Sequence, residues 1–202
     1  RAKCVCVIPN FIEQPKRSVA DNGRKKAIAV GRLEDPKGFD MLINCWKRVA
    51  EQHPDWHLDI YGVGSLHDKL QEQIDQLRLN DYITLCGCSN NIMDVYPEYS
   101  LHIMSSRYEG QPMTLIEAQA CGLPSVVFNF KFGAADIVQN GVNGIIVEQN
   151  DYKAFSEALC KMMSSEDMRK KYGQNALEVG KQYFKNNVFS KWIELLEFIS
   201  KA

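Results

Sequence analysis

Hydrophobic residues along this chain fall into short runs separated by longer amphipathic stretches. The runs "KAIAVG", "WHLDIYG", "YITLCG", "LHIMSS", "PSVVF" and "GIIV" are mostly apolar at successive positions, and glycine, proline or a polar turn bounds them. Such runs suit parallel strands covered by helices on both faces. Between them, Phe39 to His53, Leu66 to Leu79 and a stretch from about Met113 carry apolar residues at helical spacing, and a short helix is expected near Ala135. The alternation predicts an α/β fold: a Rossmann-like, doubly wound, mainly parallel six-stranded sheet with helices on both faces. From Asp151 onward the pattern is purely helical, with Tyr152, Phe155, Leu159 and Met162 in register and "VFSKWIELLEFI" near the end. Those extra C-terminal helices carry stripes that read as core or docking surface.

Ahead of the first strand run, "KCVCVIPNFI" reads as a strand leading into a Pro-Asn turn, and Glu13 to Lys26 as a polar linker. The expected organisation is an interdomain segment over 1–26, a Rossmann-like domain over 27–183 and a C-terminal helix over 184–202. Internal repeats and low-complexity segments are absent from the sequence.

With 202 residues, 45% of them hydrophobic and 24% charged, the chain can bury one sizeable core. Its 24 basic and 25 acidic residues give a formal net charge of -1, so no global field draws it to nucleic acid or anionic lipid. An anionic ligand must be met by a local site. The longest apolar stretches, around Ser125 to Phe128, fall far short of the roughly 20 residues that span a bilayer, and the first residues lack a signal-peptide pattern. The expectation is a cytoplasmic protein, and a piece of a longer one since it does not begin with Met. Seven cysteines, in two C-x-C pairs (Cys4 and Cys6, Cys86 and Cys88) and singly at Cys45, Cys121 and Cys160, fit neither a zinc ribbon nor a disulfide framework. They read as small buried hydrophobes.

In open α/β sheets the ligand lies beyond the carboxyl ends of the strands. Three stretches sit there. In "VGRLEDPKGFD", Arg32 and Lys37 follow a strand and precede a helix, an arrangement for a diphosphate or simply a solvated loop. In "IYGVGS", Gly62 and Gly64 permit close backbone approach to a ligand or a tight turn, and a third glycine for the dinucleotide fingerprint is missing. In "SSRYEGQPMTLIEAQACGLP", Glu109 falls in a loop and Glu117 inside the helix that follows Pro112. Free amides at the helix start, around Met113 and Thr114, face the same cleft. Neither an Asp-x-Asp nor a histidine cluster offers a metal site. Of the scattered His53, His57, His67 and His102, the last lies in a strand run and reads as a hydrogen-bonded core residue.

Taken together, "VGRLEDPKGFDMLI", "LDIYGVGS", "ITLCGCSNNI", "SSRYEGQPMTLIEAQACGLPSVVF" and "NGVNGIIV" resemble, in order and spacing, the retaining glycosyltransferases of GT-B type, family four. The resemblance runs from Ala27 to about Phe189, and "VIPNFI" is similar to that family's crossing between domains. It implies the C-terminal, donor-binding half of a two-domain enzyme, whose N-terminal half holds the acceptor. Arg32 and Lys37 match the pair that binds the donor diphosphate. Glu109 matches the glutamate near the reacting centre, so Glu109, Arg32 and Lys37 are the implied catalytic residues. Glu117 matches the glutamate that accepts from the ribose hydroxyls; Gly110, Gln111, Met113 and Thr114 match the amides on sugar and phosphate. Cys88 and Ser89 lie in the loop that meets the nucleobase, and Gly62 and Gly64 in the glycine loop beside it. The implied reaction needs no metal or other cofactor and moves a hexose or N-acetylhexosamine, from UDP above other carriers, to a glycan or lipid-linked acceptor. Bacterial surface polysaccharide such as lipopolysaccharide or O-antigen is the implied setting, with peripheral membrane association of the full-length enzyme. Other readings are a non-catalytic sugar-nucleotide-binding module, and a phosphorylase or epimerase relative.

Overall fold

The structure is a computed structural model that describes residues 5–16, 20, 22–131 and 133–201. Six strands, β1 (Lys26–Val30), β2 (His57–Tyr61), β3 (Ile83–Gly87), β4 (Leu101–Met104), β5 (Ser125–Phe128) and β6 (Gly144–Val147), form one sheet in the order β3-β2-β1-β4-β5-β6. Every strand pair is parallel. Strand order reverses between β1 and β4, so the crevice at the carboxyl ends of these two strands is the topological switch point.

The expected two-sided burial is present: every residue of β4 and β5 is buried. On one face, Ala27, Ala29, Leu58, Ile60 and Phe128 pack under α1 (Phe39–Gln52), α2 (His67–Gln76) and α5 (Tyr152–Ser164). On the other, Met104 and Val127 meet α3 (Met113–Ala120) and α4 (Ala134–Ile137). The loop over 92–99 closes that face over Ile28 with Tyr96 and Tyr99. Then α6 (Glu166–Lys181) crosses onto α3, so closely that a Cβ on Gly180 would lie 2.4 Å from Ala120 Cα. Of the expected α5 stripe, Phe155, Leu159 and Met162 are buried, while Tyr152 stays 46% exposed.

Two expectations change, and the reading of the last stripe as core or docking surface narrows away from core. Residues 5–11 form no strand; among the described residues of the leading segment only Ile12 makes a bridge, to Phe184 at the start of the last helix. Val5 and Val7 are 80% and 84% exposed, because an apolar run becomes a strand only where a sheet edge receives it. Cys45, Cys121 and Cys160 are buried as expected, yet Cys6 and Cys88 are exposed and Cys86 is half-buried. Cys6 lies off the sheet, and Gly87, with φ 71°, turns the chain out of β3 before Cys88. Cys4 lies outside the described residues. Finally, α7 (Lys185–Ser200) buries only Val188 and leaves Phe189, Trp192, Ile193 and Leu196 exposed on its surface.

Candidate active site

At the end of β1 the chain passes through Gly31 and Arg32 into a 3-10 turn over Asp35–Lys37. Gly38, with φ 62°, then switches it into α1. Only glycine fits at 38: a Cβ there would lie 2.3 Å from the Ser105 carbonyl oxygen. This close approach seats the turn against the end of β4, where the Ser105 hydroxyl donates to the Lys37 carbonyl at 3.0 Å.

The Lys37 stem runs back over Gly31, whose missing side chain leaves it room; a Cβ at 31 would be 3.1 Å from Lys37 Cδ. Its ammonium thereby reaches Glu109, with Nζ 2.5 Å from Oε1. The Ser106 hydroxyl donates to the same carboxylate oxygen at 2.7 Å. Both side chains are mostly covered, at 19% and 11% exposure, so water screens the pair weakly. The structure thus joins Lys37 and Glu109 directly, a contact that sequence spacing did not indicate.

Sequence reading also missed Arg107. Its guanidinium meets Asp40 through Nη1–Oδ1 at 3.0 Å and Nη2–Oδ2 at 2.7 Å, and donates to the Asp35 carbonyl at 2.6 Å. Its backbone amide donates to the Pro36 carbonyl at 2.8 Å. The only signal was a cation two residues before Glu109, with nothing to point at Asp40.

Glu117 lies a turn inside α3, half-buried. The Tyr96 hydroxyl, itself buried, sits 3.2 Å from the Thr114 carbonyl and 3.3 Å from Glu117 Oε2. Burial pushes the Glu117 carboxyl above its ordinary range, and the Tyr96 hydrogen bond opposes this. Pro112 stands just outside the helix as its cap rather than in its first turn. The Pro112 carbonyl accepts from the Leu115 and Ile116 amides, so the Met113 and Thr114 amides have no carbonyl of this helix a turn behind them to donate to, as at any helix start. Buried Thr114 Oγ1 has no partner among the described residues. Met113 packs its side chain on the core, which leaves its amide as the group available to a ligand. Gly110 is exposed, and Gln111 is tied by its side-chain oxygen to the Asn10 amide at 2.9 Å.

Arg32 is exposed, and among the described residues no carboxylate lies within ion-pair distance of it. It borders a pocket of about 210 Å³ with Tyr61, Gly62, Cys88, Ser89 and Ile92. Gly62 and Gly64 are needed by neighbouring backbone: Cβ atoms there would come 1.8 Å from the Gly31 carbonyl oxygen and 2.4 Å from that of Leu33. Gly62 also lines the pocket, whereas Gly64 does not. Glu34 stitches these loops by accepting from the Ser65 amide and hydroxyl at 2.9 and 2.8 Å, bonds that hold its carboxyl below the usual range.

His102 is buried in β4, where its Nδ1 lies 3.2 Å from Ser125 Oγ. Its Nε2 has no partner among the described residues, so this histidine is only half satisfied there; burial pushes its pKa down to about 3 and keeps the ring neutral. Among the described residues no group of three or more His, Cys, Asp or Glu is close enough to hold a metal ion. No helix among them is long and apolar enough to cross a membrane.

The loops at the carboxyl ends of β1 and β4 thus carry Lys37 paired with Glu109, Arg32 with no carboxylate partner among the described residues, and the start of α3 with Glu117 one turn in; Arg32 lines the pocket of about 210 Å³, and Lys37, Glu109 and Glu117 do not. Comparison with known proteins identifies the family. The family model "Glycosyl transferases group 1" matches residues 10–179. The amylovoran biosynthesis glycosyltransferase AmsD of Erwinia amylovora is 33% identical over 173 residues, covering 86% of this chain and 48% of that protein. The GtfA subunit of the UDP-N-acetylglucosamine–peptide N-acetylglucosaminyltransferase of Streptococcus gordonii is 31% identical over 84% of this chain and 35% of its own. A solved S. aureus TarM structure, in complex with Fondaparinux, alpha-GlcNAc-glycerol and UDP, superposes with a TM-score of 0.86 at 25% identity. That match covers 94% of this chain and 39% of TarM. The chain spans 21% to 52% of the length of the first curated relatives it matches. With its family model matched over most of its length and its sheet wound as in these neighbours, the chain belongs to the group 1 glycosyl transferases, as a C-terminal GT-B domain.

Proposed function

We propose that this chain is the donor-binding half of a retaining glycosyltransferase of family four. It would hold a nucleoside diphosphate sugar, a UDP-sugar first among the candidates, for transfer of a hexose or N-acetylhexosamine to a glycan or lipid-linked oligosaccharide. The observation that carries this reading is the Lys37–Glu109 pair, set beside the start of α3 at the switch point of the sheet. When the sugar–phosphate bond breaks, negative charge develops on the departing diphosphate. Lys37, Arg32 and the amides of Met113 and Thr114 would stabilise that charge where it forms. Glu109 would face the donor sugar near its reacting carbon, and Glu117 would accept from the ribose hydroxyls. The pocket beside Arg32 would take the base.

The UDP in the TarM complex and the polysaccharide named for AmsD support a UDP-sugar and a surface-polysaccharide setting. In this reading α7 packs on an N-terminal acceptor domain, and the whole enzyme works in the cytoplasm at the membrane's inner face. The test joins the chain to its natural N-terminal half and assays transfer from UDP-, GDP- and ADP-sugars, with the anomeric configuration of the product read by NMR. Transfer with retained configuration supports the proposal. Nucleotide binding without transfer from any donor would favour a non-catalytic binding module instead.

A further inference from the structure

Arg107 grips the turn that carries Lys37 from both sides. Its amide and guanidinium bind the Pro36 and Asp35 carbonyls inside the turn, at 2.8 and 2.6 Å. The two arms of the guanidinium bind Asp40, just past the turn in the first turn of α1. Arg107 itself belongs to the loop between β4 and α3, two residues ahead of Glu109. The clasp therefore ties the segment bearing the cation to the segment bearing the carboxylate, without bonding to either side chain of the Lys37–Glu109 pair. Planar, two-armed contact of this kind fixes orientation as well as distance, and lysine cannot reproduce it.

We infer that Arg107 is a positioning residue for phosphate binding: clamped to Asp40 and to the carbonyls of the 35–37 turn, it holds the Lys37 ammonium where the donor diphosphate would lie. The inference rests on the proposed role of Lys37. Holding a cation on a short turn in advance removes the ordering cost that a free lysine would bear on meeting an anion.

The experiment measures UDP affinity by calorimetry and uridine affinity by NMR titration, for Arg107→Ala, Arg107→Lys, Lys37→Ala and the Arg107→Ala/Lys37→Ala double variant. Arg107→Ala is expected to weaken UDP about tenfold, of the size of one charge-assisted bond, while uridine binding stays unchanged. Arg107→Lys should fail to restore UDP binding. In the double variant UDP should bind no more weakly than in Lys37→Ala alone, because the clasp acts only through Lys37. Equal loss of uridine and UDP, additive losses in the double variant, or full UDP affinity in Arg107→Ala would each overturn the clasp. Unchanged UDP affinity in Lys37→Ala would instead remove the functional reading, and the inference with it. If Arg107→Ala does not fold, Asp40→Asn removes charge from the clasp while keeping one acceptor. It should weaken UDP about threefold and spare uridine, and unchanged UDP binding there would count against the clasp.

Discussion

The ammonium of Lys37 and the carboxylate of Glu109 lie 2.5 Å apart, joined across 72 positions of sequence and largely withdrawn from solvent. Without nucleotide, each charge is the other's partner. In the proposed site a diphosphate at Lys37 would share or displace Glu109, so the pair would couple the state of the cation to that of the carboxylate.

That coupling gives opposite signs to two substitutions. Lys37→Ala should weaken UDP by about 1–3 kcal/mol, the worth of a charge-assisted contact. Glu109→Gln should leave UDP binding equal or tighter, since Lys37 loses a competitor, while transfer by the full enzyme falls. Calorimetry and a turnover assay on the same two variants check both signs. UDP affinity that drops equally in each would mean that Lys37 and Glu109 do not compete in this way.

Arg32 has no carboxylate within ion-pair distance among the described residues, so removing it strands no partner. Arg32→Ala should weaken UDP by about 1–3 kcal/mol and change the melting temperature little. Parallel calorimetry and thermal unfolding test this; full UDP affinity would exclude Arg32 from the diphosphate site.

Glu117 should trade stability against binding. Its carboxyl sits above the ordinary value of 4.5 because burial disfavours the charge, so the folded chain holds this proton more tightly than the unfolded chain. Its contribution to stability is then present at low pH and declines as pH rises from the ordinary value through the raised one. Glu117→Gln should flatten that slope and raise the melting temperature near neutrality, while in the proposed site it should weaken UDP about tenfold, because one charged acceptor for the ribose hydroxyls becomes an amide donor. Unfolding curves collected across pH, beside titrations with UDP, would show it; a variant that melts lower at neutral pH contradicts the sign.

The glycines of the strand ends separate fold from ligand. At Gly62 a Cβ would meet the Gly31 carbonyl at 1.8 Å with φ at 155°, and no flexible atom can yield. Gly62→Ala should cost about 3 kcal/mol or more of stability. At Gly31 the obstacle is the Lys37 stem, which can swing aside. Gly31→Ala should melt nearly normally yet bind UDP more weakly. Thermal melts should therefore separate the two variants, with Gly62→Ala far the less stable; a Gly31→Ala variant that melts as low as Gly62→Ala would contradict the distinction.

How much of this was legible in the sequence depended on the range of the interaction. The six strand runs and the main helices could be read because their periodicity is local and their neighbours in the sheet only confirm it. Glu109, Glu117, Arg32 and Lys37 could be singled out because each lies after a strand run, where this architecture collects its ligands. The pairing of Lys37 with Glu109 and the Arg107 clasp could not be read, since both depend on how the end of β1 meets the end of β4. "KCVCVIPNFI" misled for a related reason: its residues favour a strand, but nothing in the sheet receives residues 5–11. That Nε2 of His102 finds no partner among the described residues was hidden as well, because burial alone does not say whether a polar atom is satisfied.

The exposed row on α7 separates folding of this domain from assembly of the enzyme. Trp192, Ile193 and Leu196 are 49%, 55% and 62% exposed, and α7 buries only Val188 against the domain. A charge placed on this row meets water in the isolated chain, so Trp192→Glu should change its stability by no more than about 0.5 kcal/mol. In the proposed two-domain enzyme the same charge would be forced into an apolar interface, where an unpaired carboxylate is costly. UDP binding by the isolated variant should be normal and transfer by the full-length variant strongly reduced. Comparing melting, UDP titration and transfer in the two lengths tests the point. Full transfer activity would mean that this row of α7 does not join the halves, and a large drop in melting temperature of the isolated chain would mean that Trp192 belongs to its core.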